Sequence, residues 1–232
     1  MKTRTKALLL ALSAVLLVVS TVMATMAFLT STTDVVKNTF TVGNVQIKLD
    51  ESNEGTPDDT TDRTTKGNEY HLLPGHTYVK DPTVTVVGGS ENCYVRMFVV
   101  VNNITELKAA FDETYIGSDG NTFLLQNLVD WNTNWEYVSC TEDATADTAT
   151  YEFRYNEMVA KKSNDTKMDA LFTEITIPGS IDNAKLALLQ SVSIDVYANA
   201  IQADGFANAA AAWAAWTGPN FTTPETTETP NS

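Results

Sequence analysis

The sequence predicts a mainly β fold, an antiparallel β-sandwich or jelly roll with a few short helical insertions, preceded by an N-terminal signal helix. Three observations carry that prediction. Apolar and polar residues alternate over short runs, with the two-residue period of a strand that has one face in a core. The runs lie at modest spacing with turn-forming residues between them. Helical periodicity is confined to brief stretches, so the strand–helix alternation of a parallel βαβ sheet is missing.

The chain begins with Lys2, Arg4 and Lys6, continues through the apolar ALLLALSAVLLVV from Ala7 to Val19, and reaches small residues ending in Ala24-Thr25-Met26-Ala27. A basic head, an apolar middle and a small-residue zone define a secretory signal peptide over residues 1–27, cut between Ala27 and Phe28. No charge lies between Lys6 and Asp34, so the same stretch spans a bilayer if it is left uncut. The uncleaved signal is the one expected contact with a membrane. Residues 28–37 follow as an extended N-terminal arm, 38–217 as a single β-sandwich domain, and 218–232 as a disordered tail rich in Thr and Pro.

Phe40, Val42, Val45, Ile47 and Leu49 alternate with polar residues around Gly43, which gives a half-buried strand with a bulge at the glycine. Residues 50–69, DESNEGTPDDTTDRTTKGNE, hold no apolar side chain larger than proline and read as a solvated loop. Pro74-Gly75 marks a turn, and Val84 and Val86 alternate with threonines. Cys93 to Val101 is a nearly continuous β-prone run, the pattern of a sheet centre buried on both faces. Ile104, Leu107, Ala110 and Phe111 share one helical face, with Asn103 or Thr105 as its cap. Trp131–Ser139 and Thr150–Tyr155 read as strands separated by a polar loop, and Leu171–Ile177 as another. Ile181–Leu189 fits a small helix, Val192 to Ala198 a last strand, and FANAAAAWAAW from Phe206 to Trp216 an alanine-rich helix pinned by Trp213 and Trp216.

Charge narrows the partners. The chain has 15 Lys and Arg against 29 Asp and Glu. Losing residues 1–27 removes three bases and no acids, which leaves 12 against 29, a net charge of −17. A surface so acidic repels nucleic acid and anionic lipid and favours solubility.

The chemistry of catalysis has few residues to use. His71 and His76 flank the Pro-Gly turn with no glutamate between them, so the helical zinc-protease motif is absent. Neither a nucleophile elbow nor a phosphate-binding glycine loop occurs. No catalytic, cofactor-binding or metal-binding residues are therefore assigned. Glu54, Asp58, Asp59 and Asp62 supply oxygens suited to calcium but lack the spacing of a helix–loop–helix calcium site. Asp130 beside Trp131 and Glu136 beside Trp135 are sugar-binding candidates, as is the loop 51–69, and for the aromatics a place in the core is the plainer reading. Cys93 and Cys140 are the only cysteines; an exported chain allows a disulfide between them, and two buried thiols remain the alternative.

Taken together, a signal ending in MAFLT, then TDVVKNTFTVGNVQIKLDE, then HLLPGHTYVKDPTVTVVGGSENCYVRMFVVV, then SIDVYANAIQADGFANAAAAWAAW resemble the bacterial TasA and camelysin family. The resemblance covers residues 5–50, 70–101 and 190–216. It implies processing by a SipW-type signal peptidase and a jelly-roll subunit that polymerises into fibres of the extracellular biofilm matrix, alone or with an accessory matrix subunit. It also implies that the freed N-terminal segment adds as a strand to the next subunit. Here that segment begins at Phe28, with Phe28, Leu29, Val35 and Val36 as the side chains that fill pockets. The camelysin branch has been regarded as metallopeptidase-like, but without a zinc motif that activity is not carried over. The expected location is the extracellular matrix or cell surface of a bacterium. The alternative function is a cell-surface adhesin or glycan-binding module without enzymatic activity.

Overall fold

The computed structural model describes residues 44–54, 62–111 and 128–218, all within the unit Gly43–Ser232. The signal segment with Ala27, the arm with Phe28, Leu29, Val35 and Val36, the bulge expected at Gly43, and the tail beyond residue 218 lie outside them. For Trp131 only the backbone is described.

The first strands are β1 (Ile47–Ser52), β2 (Arg63–Thr64), β3 (Thr77–Val79), β4 (Thr83–Val86) and β5 (Cys93–Asn102). Helix α1 (Ile104–Ala110) follows, then β6 (Val129–Trp131), β7 (Trp135–Asp143), β8 (Thr148–Tyr155), β9 (Thr166–Lys167) and β10 (Phe172–Thr176). Helix α2 (Asn183–Leu188) runs into a 3-10 turn (Leu189–Ser191), and β11 (Ser193–Gln202) and α3 (Ala209–Ala214) close the order. Among the described residues every strand pair is antiparallel. Three sheets result, ordered β2-β1-β4-β9, β3-β10-β6 and β11-β5-β8-β7.

The continuous apolar run of β5 does what its composition dictates. Strand β11 pairs along all of it, from Ser193↔Asn102 to Gln202↔Cys93, and β8 pairs on its other side from Arg96↔Arg154 to Asn102↔Thr148. One face carries Val95, Met97, Val99 and Val101, at most 1% exposed. They pack in a core with Val84, Trp135, Tyr151, Phe153, Leu171 and Phe172. The opposite face carries Arg96, Phe98 and Val100, also buried. There α3 supplies the cover. The Arg96 guanidinium lies 4.3 Å from the Trp213 ring, 5.1 Å from Trp216 and 4.8 Å from Phe98, a cation held over three aromatic faces. Asn208 caps α3 by accepting from the Ala211 amide at 2.9 Å.

Three local expectations change. The polar stretch 141–149 is not a long loop, because β7 and β8 continue through Asp143 and Thr148 and leave a short turn between them. Helix α1 is capped from outside its own sequence. Asn103 is left-handed (φ 55°) and makes no side-chain cap, whereas Asp147 of that turn accepts the Thr105 amide at 3.1 Å and its hydroxyl at 2.7 Å. The Trp131–Ser139 strand is two strands, interrupted where the Trp135 amide donates back to Asn132 O at 3.1 Å.

Candidate functional site

The stretch 50–69, expected to be solvated throughout, instead contributes a buried polar anchor. Strand β1 runs through Asp50, Glu51 and Ser52, and β2 pairs with its end as Glu51↔Thr64 and Ser52↔Arg63. Glu51 and Ser52 are 6% and 5% exposed. Charge pairing rather than apolar area makes this possible, since a buried charge is tolerated when its lone pairs and protons are satisfied.

Arg63 is the hub. Its Nε donates to Asp50 Oδ1 at 2.5 Å, and Nη1 donates to Asp81 Oδ2 at 2.7 Å and Ser52 Oγ at 2.9 Å. Nη2 reaches the carbonyl oxygens of Asp50 and Asp81 at 3.2 and 3.1 Å. Asp81 also accepts the Ser52 amide at 2.6 Å and its hydroxyl at 2.9 Å. Burial alone would raise the Asp81 carboxyl, but the Arg63 and Ser52 hydrogen bonds outweigh it and hold the group below its ordinary range. Burial likewise opposes the Arg63 charge, and its bonds to Asp81 and Asp50 more than restore it.

Beside the hub, Lys80 Nζ donates to Glu51 Oε2 at 2.8 Å, with both side chains under 10% exposed. The Asn68 carboxamide donates to the other oxygen, Glu51 Oε1, at 3.0 Å. Tyr70 donates to the Val79 carbonyl at 2.9 Å. Its phenol is pushed up first by burial and then by the negative Glu51.

This anchor forms one wall of a groove of about 260 Å³, lined by Leu49–Glu51, Thr64–Gly67, Lys80 and Pro82 on one side and Ile194–Tyr197 of β11 on the other. The volume falls below the roughly 300–1,000 Å³ of pockets that enclose drug-sized ligands. Its walls are strand edges instead. Along Ile47–Asp50, β1 pairs with β4 on one side, and β2 covers only Glu51 and Ser52 on the other. Among the described residues β11 pairs with β5 alone. Among the described residues, two strand edges without full pairing therefore border one groove, and backbone amides and carbonyls of such edges are the groups to which an added strand bonds.

The other candidate residues are not gathered at this groove. Cys93 and Cys140 are free thiols, the second of the two alternatives left open by the sequence. Strand β8 separates β5 from β7, and Cys140 stands level with Tyr151 and so with Val99, not with Cys93. Two strand spacings of about 4.8 Å each, plus six residues along the strand, exceed the reach of a bridge. His71 and His76 are exposed, and His76 lies 6.5 Å from the Tyr78 ring. Among the described residues no three His, Cys, Asp or Glu side chains form a group that could hold a metal; Asp58 and Asp59 lie outside them. Glu54 and Asp62 contribute backbone groups near β2, to Asn68 and Asn53 respectively. Trp135 is a core residue, 1% exposed, with Nε1 donating to Asp169 O at 3.0 Å.

Glu51, Arg63, Asn68, Lys80 and Asp81 escaped the sequence reading. The one signal they leave is a Lys-Asp pair set inside the β-prone YVKDPTVTVV. No family model, curated protein or solved structure matches the chain.

Proposed function

We propose that the chain is a secreted structural subunit of extracellular matrix fibres, and that subunits join when the N-terminal arm of one adds as a strand to a neighbour. The observation that carries this reading is the groove between β1 and β11, bordered by two strand edges that lack full pairing among the described residues. Three antiparallel sheets suit a sandwich or jelly roll, the architecture that the TasA and camelysin resemblance implies. A signal peptide followed by an arm rich in Thr and Val supplies the strand, and removal of the signal frees it. Addition of this head-to-tail kind does not close on itself and so makes filaments. A SipW-type peptidase is the processing partner in this scheme, and an accessory subunit is an optional second component. The adhesin reading draws less support, because Trp135 is enclosed in the core rather than displayed to a sugar.

The test compares the mature chain 28–232 with a chain beginning at residue 38. Scattering and electron microscopy are expected to show fibres from the first and monomers from the second, with a peptide of residues 28–37 binding the truncated chain. Undiminished fibres from the truncated chain sink the strand-addition reading. A glycan array with both proteins separates assembly from adhesion.

A further inference from the structure

We propose that Lys80 and Asn68 join in an intramolecular isopeptide bond, with Glu51 as the proton shuttle. The arrangement supplies each component of that reaction. The nucleophile is Lys80 Nζ, on a side chain 7% exposed and hydrogen-bonded to Glu51 Oε2 at 2.8 Å. The electrophile is the Asn68 side-chain amide, whose Nδ2 donates to Glu51 Oε1 at 3.0 Å and to the Ser52 carbonyl at 2.8 Å. One carboxylate thus touches both the attacking and the departing nitrogen. The amide oxygen, Asn68 Oδ1, accepts the Glu54 backbone N–H at 2.9 Å, a donor already placed where negative charge develops in a tetrahedral intermediate. Tyr70 packs alongside, and its upward-shifted phenol reports the same desolvated, negatively charged surroundings.

The balance of atoms closes without an oxidant or co-reactant. The Lys80 ammonium gives one proton to Glu51, and the neutral amine attacks Asn68 Cγ. The Nζ–Cγ bond forms and the Cγ–Nδ2 bond breaks. Glu51 returns its proton to the departing nitrogen, and the second proton shed by Nζ follows, so one ammonium ion leaves and Glu51 is again a carboxylate. Both nitrogens are held on the two oxygens of one carboxylate, an orientation that supplies part of the activation such an amide exchange otherwise needs.

Hydrogen-bond supply points the same way. A lysine ammonium carries three donors, yet Glu51 is the single acceptor for Nζ among the described residues. The secondary amide of the product keeps one hydrogen, which that acceptor satisfies.

Intact mass of the mature, folded chain is the test. The expected mass is about 17 Da below that of the sequence, the loss of one ammonia. Chymotryptic cleavage after Tyr70, Leu72 or Tyr78 should leave the Asn68 peptide joined to the Lys80 peptide. Lys80→Arg and Glu51→Gln are expected at full mass, and Asn68→Asp should lose water in place of ammonia. A wild-type chain at full mass overturns the proposal even if a variant fails to fold. So does an ammonia loss that persists in Lys80→Arg, which would assign it to cyclisation of an asparagine on its own backbone.

Discussion

At the scale of the residue, Arg63 is the group on which the site depends most. Its guanidinium neutralises Asp50 and Asp81 and bonds to two carbonyl oxygens, with 11% of the side chain exposed. Arg63→Ala leaves two carboxylates partly buried without a counter-charge, and breaking a buried pair in this way costs about 3–5 kcal/mol. Arg63→Lys keeps the charge but cannot span Asp50 and Asp81 with a planar fork, so it should fall between the two. Urea unfolding followed by circular dichroism measures both, and equal loss in the two variants would show that the planar fork, not charge alone, is what matters. The cysteines give a second prediction. Thiol titration of the denatured chain should find two thiols with or without prior reduction. In the folded chain Cys140 should react before Cys93, which is buried and whose thiol burial pushes up to about 11.

At the scale of the element, what the sequence discloses depends on how each element is stabilised. Strand β5 is legible because its apolar run needs no partner to be recognised, and its neighbours only complete the burial. Helix α1 is half legible: Ile104, Leu107 and Ala110 mark its buried face, whereas its cap, Asp147, lies in a turn about forty residues on and leaves no local sign. The end of β1 and all of β2 are illegible for a stronger reason. Composition alone marks DESNEGTPDDTTDRTT as solvent-loving, and only the pairing of Arg63 with Asp50 and Asp81 turns those charges inward. Helix α3 is legible in its alanines and in the face shared by Trp213 and Trp216, but the charge beneath it is not. Trp213→Ala removes a buried ring stacked on Arg96, and loss of a buried tryptophan costs about 3–5 kcal/mol. Since α3 has six residues, too few to hold a helix unaided, amide hydrogen exchange over 209–216 should rise sharply while β5 stays protected. Unchanged exchange would mean that Trp216 alone holds the helix.

At the scale of the whole molecule, two effects of acid oppose each other, and their windows differ. If the chain is cut after Ala27 as proposed, its charge of −17 makes copies repel one another, and that repulsion fades as carboxylates take up protons toward the isoelectric point, near 4.4 for the full sequence. The fold responds later. Asp81 is held below its ordinary value by Arg63 and Ser52 against the cost of burial, and Asp143 and Asp165 are lowered by backbone hydrogen bonds from Ala146, Thr145 and Gly88. A carboxyl with a depressed folded value stabilises the fold above its unfolded value of about 3.9 and loses that contribution only as pH falls through the folded value. Between neutrality and about pH 5 the fold therefore stays intact while repulsion between subunits declines. If the chain assembles as proposed, fibre growth should quicken over that interval with no change in circular dichroism. Salt should do the same at pH 7, because raising ionic strength from about 0.01 to 1 M shortens the screening length from about 30 to 3 Å. Light scattering at matched protein concentration checks both arms. Growth that quickens with acid but not with salt would trace the effect to particular carboxylates at the joint between subunits rather than to net charge.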